Sequence, residues 1–279
     1  MSIVTPVSGY AGFHMFKNLP IGVFDSGIGG LSVLYEIQQL LPHESLLYLA
    51  DCRYIPYGEK SSAFILKRSR LAAEFFRKQN AKVFVIACNT ATIAAVSDLR
   101  QDYPKWPLVG MEPAIKPAAA ATRSCVVGIL ATTSTLQSAK FTTLLNRFAT
   151  DMRVITQPCP GLVELIETGD LNSATLLQML HGYLRPLLSE GCDTIILGCT
   201  HYFFLKPLLA QILPRDIIII DTGPAVALQL KHLLNEHDLL LASGNPKSVQ
   251  FWTSGNVDHL RNILPILWKS PGVLNSFNL

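Results

Sequence analysis

The chain has 279 residues, of which 49% are hydrophobic and 15% charged, with a net charge of +3. That length allows two modest domains or one large one, each with ample core. The balance of 23 basic against 20 acidic residues, with no Lys/Arg run, argues against a nucleic-acid partner. Residues 1–19 lack a basic start and a sustained apolar stretch, so they read as a surface extension, not a secretory signal. No apolar run reaches the ~18 residues of a membrane span. The expectation is a soluble, cytoplasmic protein with no membrane partner.

Taken in order, Ile21 to Phe24 reads as a short strand running into Asp25-Ser26-Gly27-Ile28-Gly29-Gly30, with a helix over Leu31 to Leu41. A glycine-rich strand-to-helix turn suits an anion, but there is no GxGxxG in frame and no GK[ST]. A tight turn with an Asp helix cap explains it equally well. Leu46 to Ala50 is a second strand, followed by the irregular rim DCRYIPYGEKS and a helix from Ser62 to Gln79. Val83 to Ala87 is a buried strand ending at Cys88-Asn89-Thr90, where a helical pattern starts. The proline-rich stretch from Gln101 to Pro117 holds a short strand at Leu108 to Met111 and a crossover. Strands follow at Cys125 to Leu130, Met152 to Gln157, Thr194 to Leu197 and Ile217 to Ile220. Between them lie helices, one carrying Glu164 and Glu167 and another over Leu171 to Leu188. After a helix from Ala225 come a polar linker (Ser243 to Lys247), a strand at Val249 to Thr253 and a helix from Val257 to Trp268. The alternation predicts an α/β fold with parallel sheets.

Two stretches repeat one design. Cys88 stands at the end of a strand, and so does Cys199 in GCTHY, with Thr200 and His201 opening the next helix. GVFDSG (22–27) and GILATT (128–133) precede them, at offsets of 106 residues for the strand units and 111 for the cysteines, as in an internal duplication. Two such lobes facing each other would bring both thiols to the carboxyl ends of parallel strands, where open α/β sheets bind ligands. Six cysteines without a CxxC or zinc-site spacing fit free thiols; Cys125 and Cys192 read as small core residues. A thiolate on one side of a ligand can take a proton from carbon, and a thiol on the other can return one, inverting that centre. Asp25 is placed to assist Cys88. His201, with Glu167 or Glu164 behind it, is placed to assist Cys199. Ser26, Gly58, Asn89, Thr90, Thr135 and Thr200 offer donors for a substrate bearing carboxylate and ammonium. The scheme uses no cofactor, and the sequence carries no Walker loop, dinucleotide fingerprint or metal-ligand cluster.

At these residues, in GVFDSGIGGLSV (22–33), PYGEKS (56–61), ACNTAT (87–92), GCTHY (198–202) and FWTSGNV (251–257), the chain resembles the glutamate racemases of the cofactor-independent aspartate/glutamate racemase family. The resemblance spans Ile21 to about Trp268. It implies two pseudo-symmetric α/β domains with the active site in the cleft between them. Residues 1–17 would be an extension, 18–112 plus 223–279 the first domain, and 113–222 the second. It implies L- and D-glutamate as substrate, a role in peptidoglycan synthesis, and a homodimer. Cys88 and Cys199 would be the proton donor/acceptors. Substrate contacts would come from Asp25, Ser26, Pro56, Tyr57, Gly58, Asn89, Thr90, Thr135, Thr200 and His201. Glu167 best matches the supporting glutamate. Two departures stand out. CPGLVELIE lacks a second proline, which leaves Glu164 as an alternative, and Cys52 replaces a threonine. Three other functions compete: racemization of aspartate, non-catalytic amino-acid binding, and a hydrolase with one essential cysteine.

Overall fold

The computed structural model describes residues 16–245 and 249–277. Most of the expected N-terminal extension and the end of the expected linker therefore lie outside the described residues.

The chain forms two all-parallel sheets. The first has β1 (Ile21–Asp25), β2 (Leu46–Ala50), β3 (Val83–Ile86), β4 (Leu108–Val109), β9 (Val249–Thr253) and β10 (Gly272–Ser276), in the order β10-β9-β2-β1-β3-β4. The second has β5 (Val126–Ala131), β6 (Arg153–Pro158), β7 (Thr194–Leu197) and β8 (Ile218–Ile220), in the order β6-β5-β7-β8. The four-strand pattern β2-β1-β3-β4 is thus repeated as β6-β5-β7-β8. Its central registers match: Phe24 opposes Ile86 in one sheet and Leu130 opposes Leu197 in the other. The duplication read from two six-residue stretches extends to the whole strand order.

Helices cover both faces of each sheet, which is why the strands read as continuous apolar runs instead of alternating ones. In the first sheet, Val23, Tyr48 and Val85 point to one core with α1 (Leu31–Leu40) and α10 (Gly223–Glu236). Phe24, Leu49 and Phe84 point to the other, with α2 (Ser62–Lys78) and α3 (Asn89–Asp102). The second sheet packs α7 (Leu162–Glu167), α8 (Ala174–Ser189) and α9 (Lys206–Ile212) on one face. On the other lie α4 (Ile115–Ala121), α5 (Thr133–Leu136) and α6 (Ala139–Phe148). After β9, α11 (Val257–Leu267) leads into β10.

Most boundaries fall within two residues of the expected ones, and the differences have physical causes. The residues after Cys199 form a 3₁₀ turn, Thr200–Leu205, before α9 begins at Lys206. The short β10 and the proline-containing α4 were not expected at all. Cys125 is exposed, not core: it precedes β5 at φ 56°. Cys192 is buried as expected. Among the described residues no helix is long and apolar enough to cross a membrane.

Candidate active site

Cys88 caps α3. The extended backbone of β3 continues through Cys88 (φ −122°, ψ 122°), and its Sγ then accepts from Ala91 N at 3.4 Å. Ser26, at the end of neighbouring β1, brings its Oγ to 3.5 Å from the same sulfur. The thiol is 5% exposed. Burial, reinforced by the nearby Asp25 carboxylate, pushes it up to about 12, so Cys88 rests as a thiol.

Asp25 is wholly buried. Its Oδ1 accepts from Gly27 N at 2.7 Å and its Oδ2 from Thr200 Oγ1 at 3.2 Å, the latter across the cleft. Burial raises its carboxyl to about 6, against the pull of the positive His201 and the Gly27 N–H.

Cys199 occupies the equivalent end of β7 but has different company. It has no side-chain cap bond, because a 3₁₀ turn follows it. Its Sγ lies 3.7 Å from His201 Nδ1. His201 Nε2 meets Glu167 Oε1 at 2.6 Å, and that oxygen also accepts from Ile28 N at 2.8 Å. Burial alone would strip the proton from His201, but Cys199 and Glu167 outweigh it and hold the imidazole well above its usual range. An imidazolium with one N–H on Glu167 and the other facing Cys199 can donate a proton to that sulfur or balance negative charge on it. Glu164, the alternative acid, is exposed on α7.

Both thiols line one narrow, nearly closed cavity of about 20 Å³. Its other walls are Ser26, Pro56, Tyr57, Gly58, Asn89, Thr90, Thr132, Val163, Thr200 and His201. Both cysteines of the expected pair and every substrate donor named from the sequence are therefore in the wall except two. Asp25 lies behind it. Thr135 also lies behind, with its Oγ1 2.9 Å from Thr132 Oγ1 and 3.3 Å from Thr90 Oγ1. Glu167 supports His201 from outside the lining. Thr132 and Val163 were missed. The only signals were the Thr/Ser run after β5 and the CPGLVELIE segment in which Val163 sits. A further layer was also missed: Tyr57 gives its hydroxyl to Asp51 at 2.5 Å, and Arg68 clamps both Asp51 oxygens at 2.9 and 2.8 Å, fixing the rim.

Asn89 carries the most direct sign of a ligand. It is 2% exposed, and both Oδ1 and Nδ2 are buried without a hydrogen-bond partner. A buried orphan amide costs ~1–3 kcal/mol, and a bound carboxylate or ammonium would relieve it. Cys52, which replaces a threonine, is not among the lining residues, and burial, with Glu167 adding to the effect, pushes its thiol well up. No group of three or more His, Cys, Asp or Glu suited to a metal ion occurs among the described residues.

The sequence profile of the Asp/Glu/Hydantoin racemase family matches residues 21–230. The chain belongs to that family. A glutamate racemase of Pseudomonas putida is 66% identical over 94% of this chain and 99% of its own length. Among solved structures, the glutamate racemase isoform RacE1 of Bacillus anthracis superposes with a TM-score of 0.86 at 31% identity, covering 94% of this chain and 98% of that one. The Escherichia coli glutamate racemase, solved with L-glutamate and the activator UDP-MurNAc-Ala, gives a TM-score of 0.81 at 35% identity, covering 92% and 98%. Within the racemase family, these relatives set the chain among the glutamate racemases, which are isomerases.

Proposed function

We propose that this racemase interconverts L- and D-glutamate by proton transfer at Cα between two thiols, and that the D-glutamate serves peptidoglycan synthesis. The observation that carries the reading is that Cys88 and Cys199, from equivalent turns of two sheets, line one cavity. A substrate between them would present one face of Cα to each sulfur. One cysteine, as thiolate, removes the proton; the electron pair is held on the carbanion, conjugated with the carboxylate. The other cysteine, as thiol, delivers its proton to the opposite face. Afterwards the thiol and thiolate have exchanged places, and the reverse reaction starts from there.

Asn89, Ser26, Thr90, Thr132 and Thr200 would hold the substrate's carboxylates and ammonium as neutral donors and acceptors. His201, backed by Glu167, would serve the Cys199 side, and Asp25 the Cys88 side. No cofactor enters this scheme. The two domains would be 18–112 plus 223–279 and 113–222. That division is supported by the packing of α10 on α1 of the first sheet, immediately after the chain leaves the second. The homodimer implied by the family resemblance remains part of the same proposal.

The test is circular dichroism of purified protein with L-glutamate, D-glutamate and L-aspartate supplied separately, with no cofactor added. Loss of optical activity from both glutamate enantiomers, with aspartate unchanged, is expected. Turnover of aspartate alone would change the substrate, and no turnover of any would overturn the reading.

A further inference from the structure

The glycine-rich segment after β1 had the look of a weak phosphate loop. In the fold it faces the other sheet instead. Gly27 is packed so closely on Glu167 that a Cβ added there would run into Oε1, and equally into Ile55 Cδ1, and one added at Gly29 would run into His201 Nδ1 and Thr200 Oγ1. Between these two positions, the Ile28 N–H donates to Glu167 Oε1 at 2.8 Å. The same oxygen receives His201 Nε2, whose other nitrogen faces Cys199. The segment is itself held from behind, since Tyr48 donates its hydroxyl to Gly27 O at 2.7 Å. Ser32 Oγ adds a longer contact to Thr200 O at 3.4 Å.

Resting on the two-thiol reading above, we propose that Gly27–Ile28–Gly29 is a positioning element for Cys199: from across the cleft it seats Glu167 and His201 against that sulfur. Glu167 has two donors on one oxygen, one from each sheet. Remove the Ile28 N–H and the carboxylate keeps only His201 as a donor. Cys88 has no such dependence, because Ser26 and Ala91 belong to its own sheet's turns. The two thiols also sit in a cavity whose cysteines are only 5% and 9% exposed, so substrate entry requires the sheets to part. Parting them breaks the Ile28–Glu167 and Asp25–Thr200 bonds. Closure therefore seats the carboxylate behind Cys199, whereas Cys88 keeps its contacts with Ser26 and Ala91 when the sheets part, and Asp25 loses only its Thr200 partner.

Gly27→Ala tests this, because the added methyl displaces the Glu167 carboxylate. The mirror-image substrates have equal free energies, so kcat/KM must fall equally in both directions, and the rate alone cannot say which arm is hurt. The primary deuterium isotope effect on kcat/KM with 2-deuterated L- and D-glutamate can. Slowing transfer at Cys199 raises it for the enantiomer that gives its hydrogen to Cys199 and lowers it for the other. Cys199→Ser and Cys88→Ser calibrate the two patterns. Gly27→Ala is expected to lower kcat/KM by ~10²–10³-fold and to shift both isotope effects as Cys199→Ser does. It should cost less than threefold in a Glu167→Ala background, since both changes act through one carboxylate. Unchanged isotope effects, the Cys88→Ser pattern, or full additivity with Glu167→Ala would overturn the proposal. Where Gly27→Ala does not fold, Gly29→Ala, which presses on His201, is read in the same way. Failure of the underlying reading looks different: the wild type would not racemize glutamate, or both Cys→Ser variants would keep full turnover.

Discussion

Cys88 and Cys199 stand at equivalent ends of equivalent strands, yet their surroundings have diverged. Cys88 caps an α-helix and touches only neutral groups, the Ala91 N–H and the Ser26 hydroxyl. Cys199 opens a 3₁₀ turn and faces a histidine backed by a carboxylate. Repetition of the strand order sets two thiols against opposite sides of one cavity. Divergence of the turns gives each thiol different surroundings. In the proposed scheme each thiol must both take and give a proton, and the means of doing so can differ between them.

The largest effect should come from removing either thiol. Cys88→Ala and Cys199→Ala are each expected to lower racemization by ~10⁴-fold or more, because inversion needs a group on both faces. Full turnover by either variant in a dichroism assay would break the comparison at its root. His201→Asn is expected to cost ~10²–10³-fold in kcat/KM. In that variant kcat should differ between the two directions while kcat/KM stays equal, and equal losses of kcat in both would remove the histidine from the Cys199 arm. Asn89→Ala should raise KM ~10–100-fold with a smaller change in kcat. Because an orphan buried amide is removed, the variant should unfold at no lower urea concentration than the wild type. A clear loss of stability would mean that Asn89 serves the fold.

Asp25 gives a prediction about pH. Burial raises its carboxyl from 3.8 to about 6, so over that range the folded protein holds a proton the unfolded chain has lost. The stability this contributes is full below pH ~4 and is gone once pH has risen past ~6. At pH 7.5 the wild type carries an ionised buried carboxylate that Asp25→Asn lacks. The variant should therefore be more stable at pH 7.5 by roughly 1–3 kcal/mol and unchanged at pH 4. Urea unfolding at the two pH values checks this, and an equal or lower stability at pH 7.5 would contradict it. The smallest effect concerns the exposed Cys125. It should be the first thiol labelled by a bulky maleimide, with turnover unchanged after one equivalent.

Much of the fold was readable because both sheets are buried on both faces, which leaves unbroken apolar strands ended by polar turns. The features that escaped lack such signals. β10 (GVLNS) is half-exposed, with Gly, Asn and Ser among five residues, and it becomes a strand only because β9 offers it an edge. α4 carries Pro117 in a seven-residue helix. The choice between Glu164 and Glu167 was open in the sequence because both lie on one short helix; in the structure Glu167 meets His201 and Glu164 points to solvent. The glycines at 27 and 29 looked like a ligand loop because the groups they pack on, Glu167 and His201, come from the other sheet, 172 residues along the chain in the case of Gly29 and His201. Local sequence carries no trace of that approach.

The central claim is that two thiols act on opposite faces of one carbon. Its most direct test is incubation of L-glutamate with the enzyme in D₂O, sampled while less than a tenth has turned over, with Cα deuterium followed by NMR in each enantiomer. The two-thiol scheme requires deuterium in essentially all of the D-glutamate formed and almost none in the recovered L-glutamate, because the arriving hydrogen comes from a second, solvent-exchanged thiol. Deuterium washing into the recovered L-glutamate at a similar rate, or D-glutamate that keeps the original hydrogen, would mean that one group serves both faces, and would contradict it.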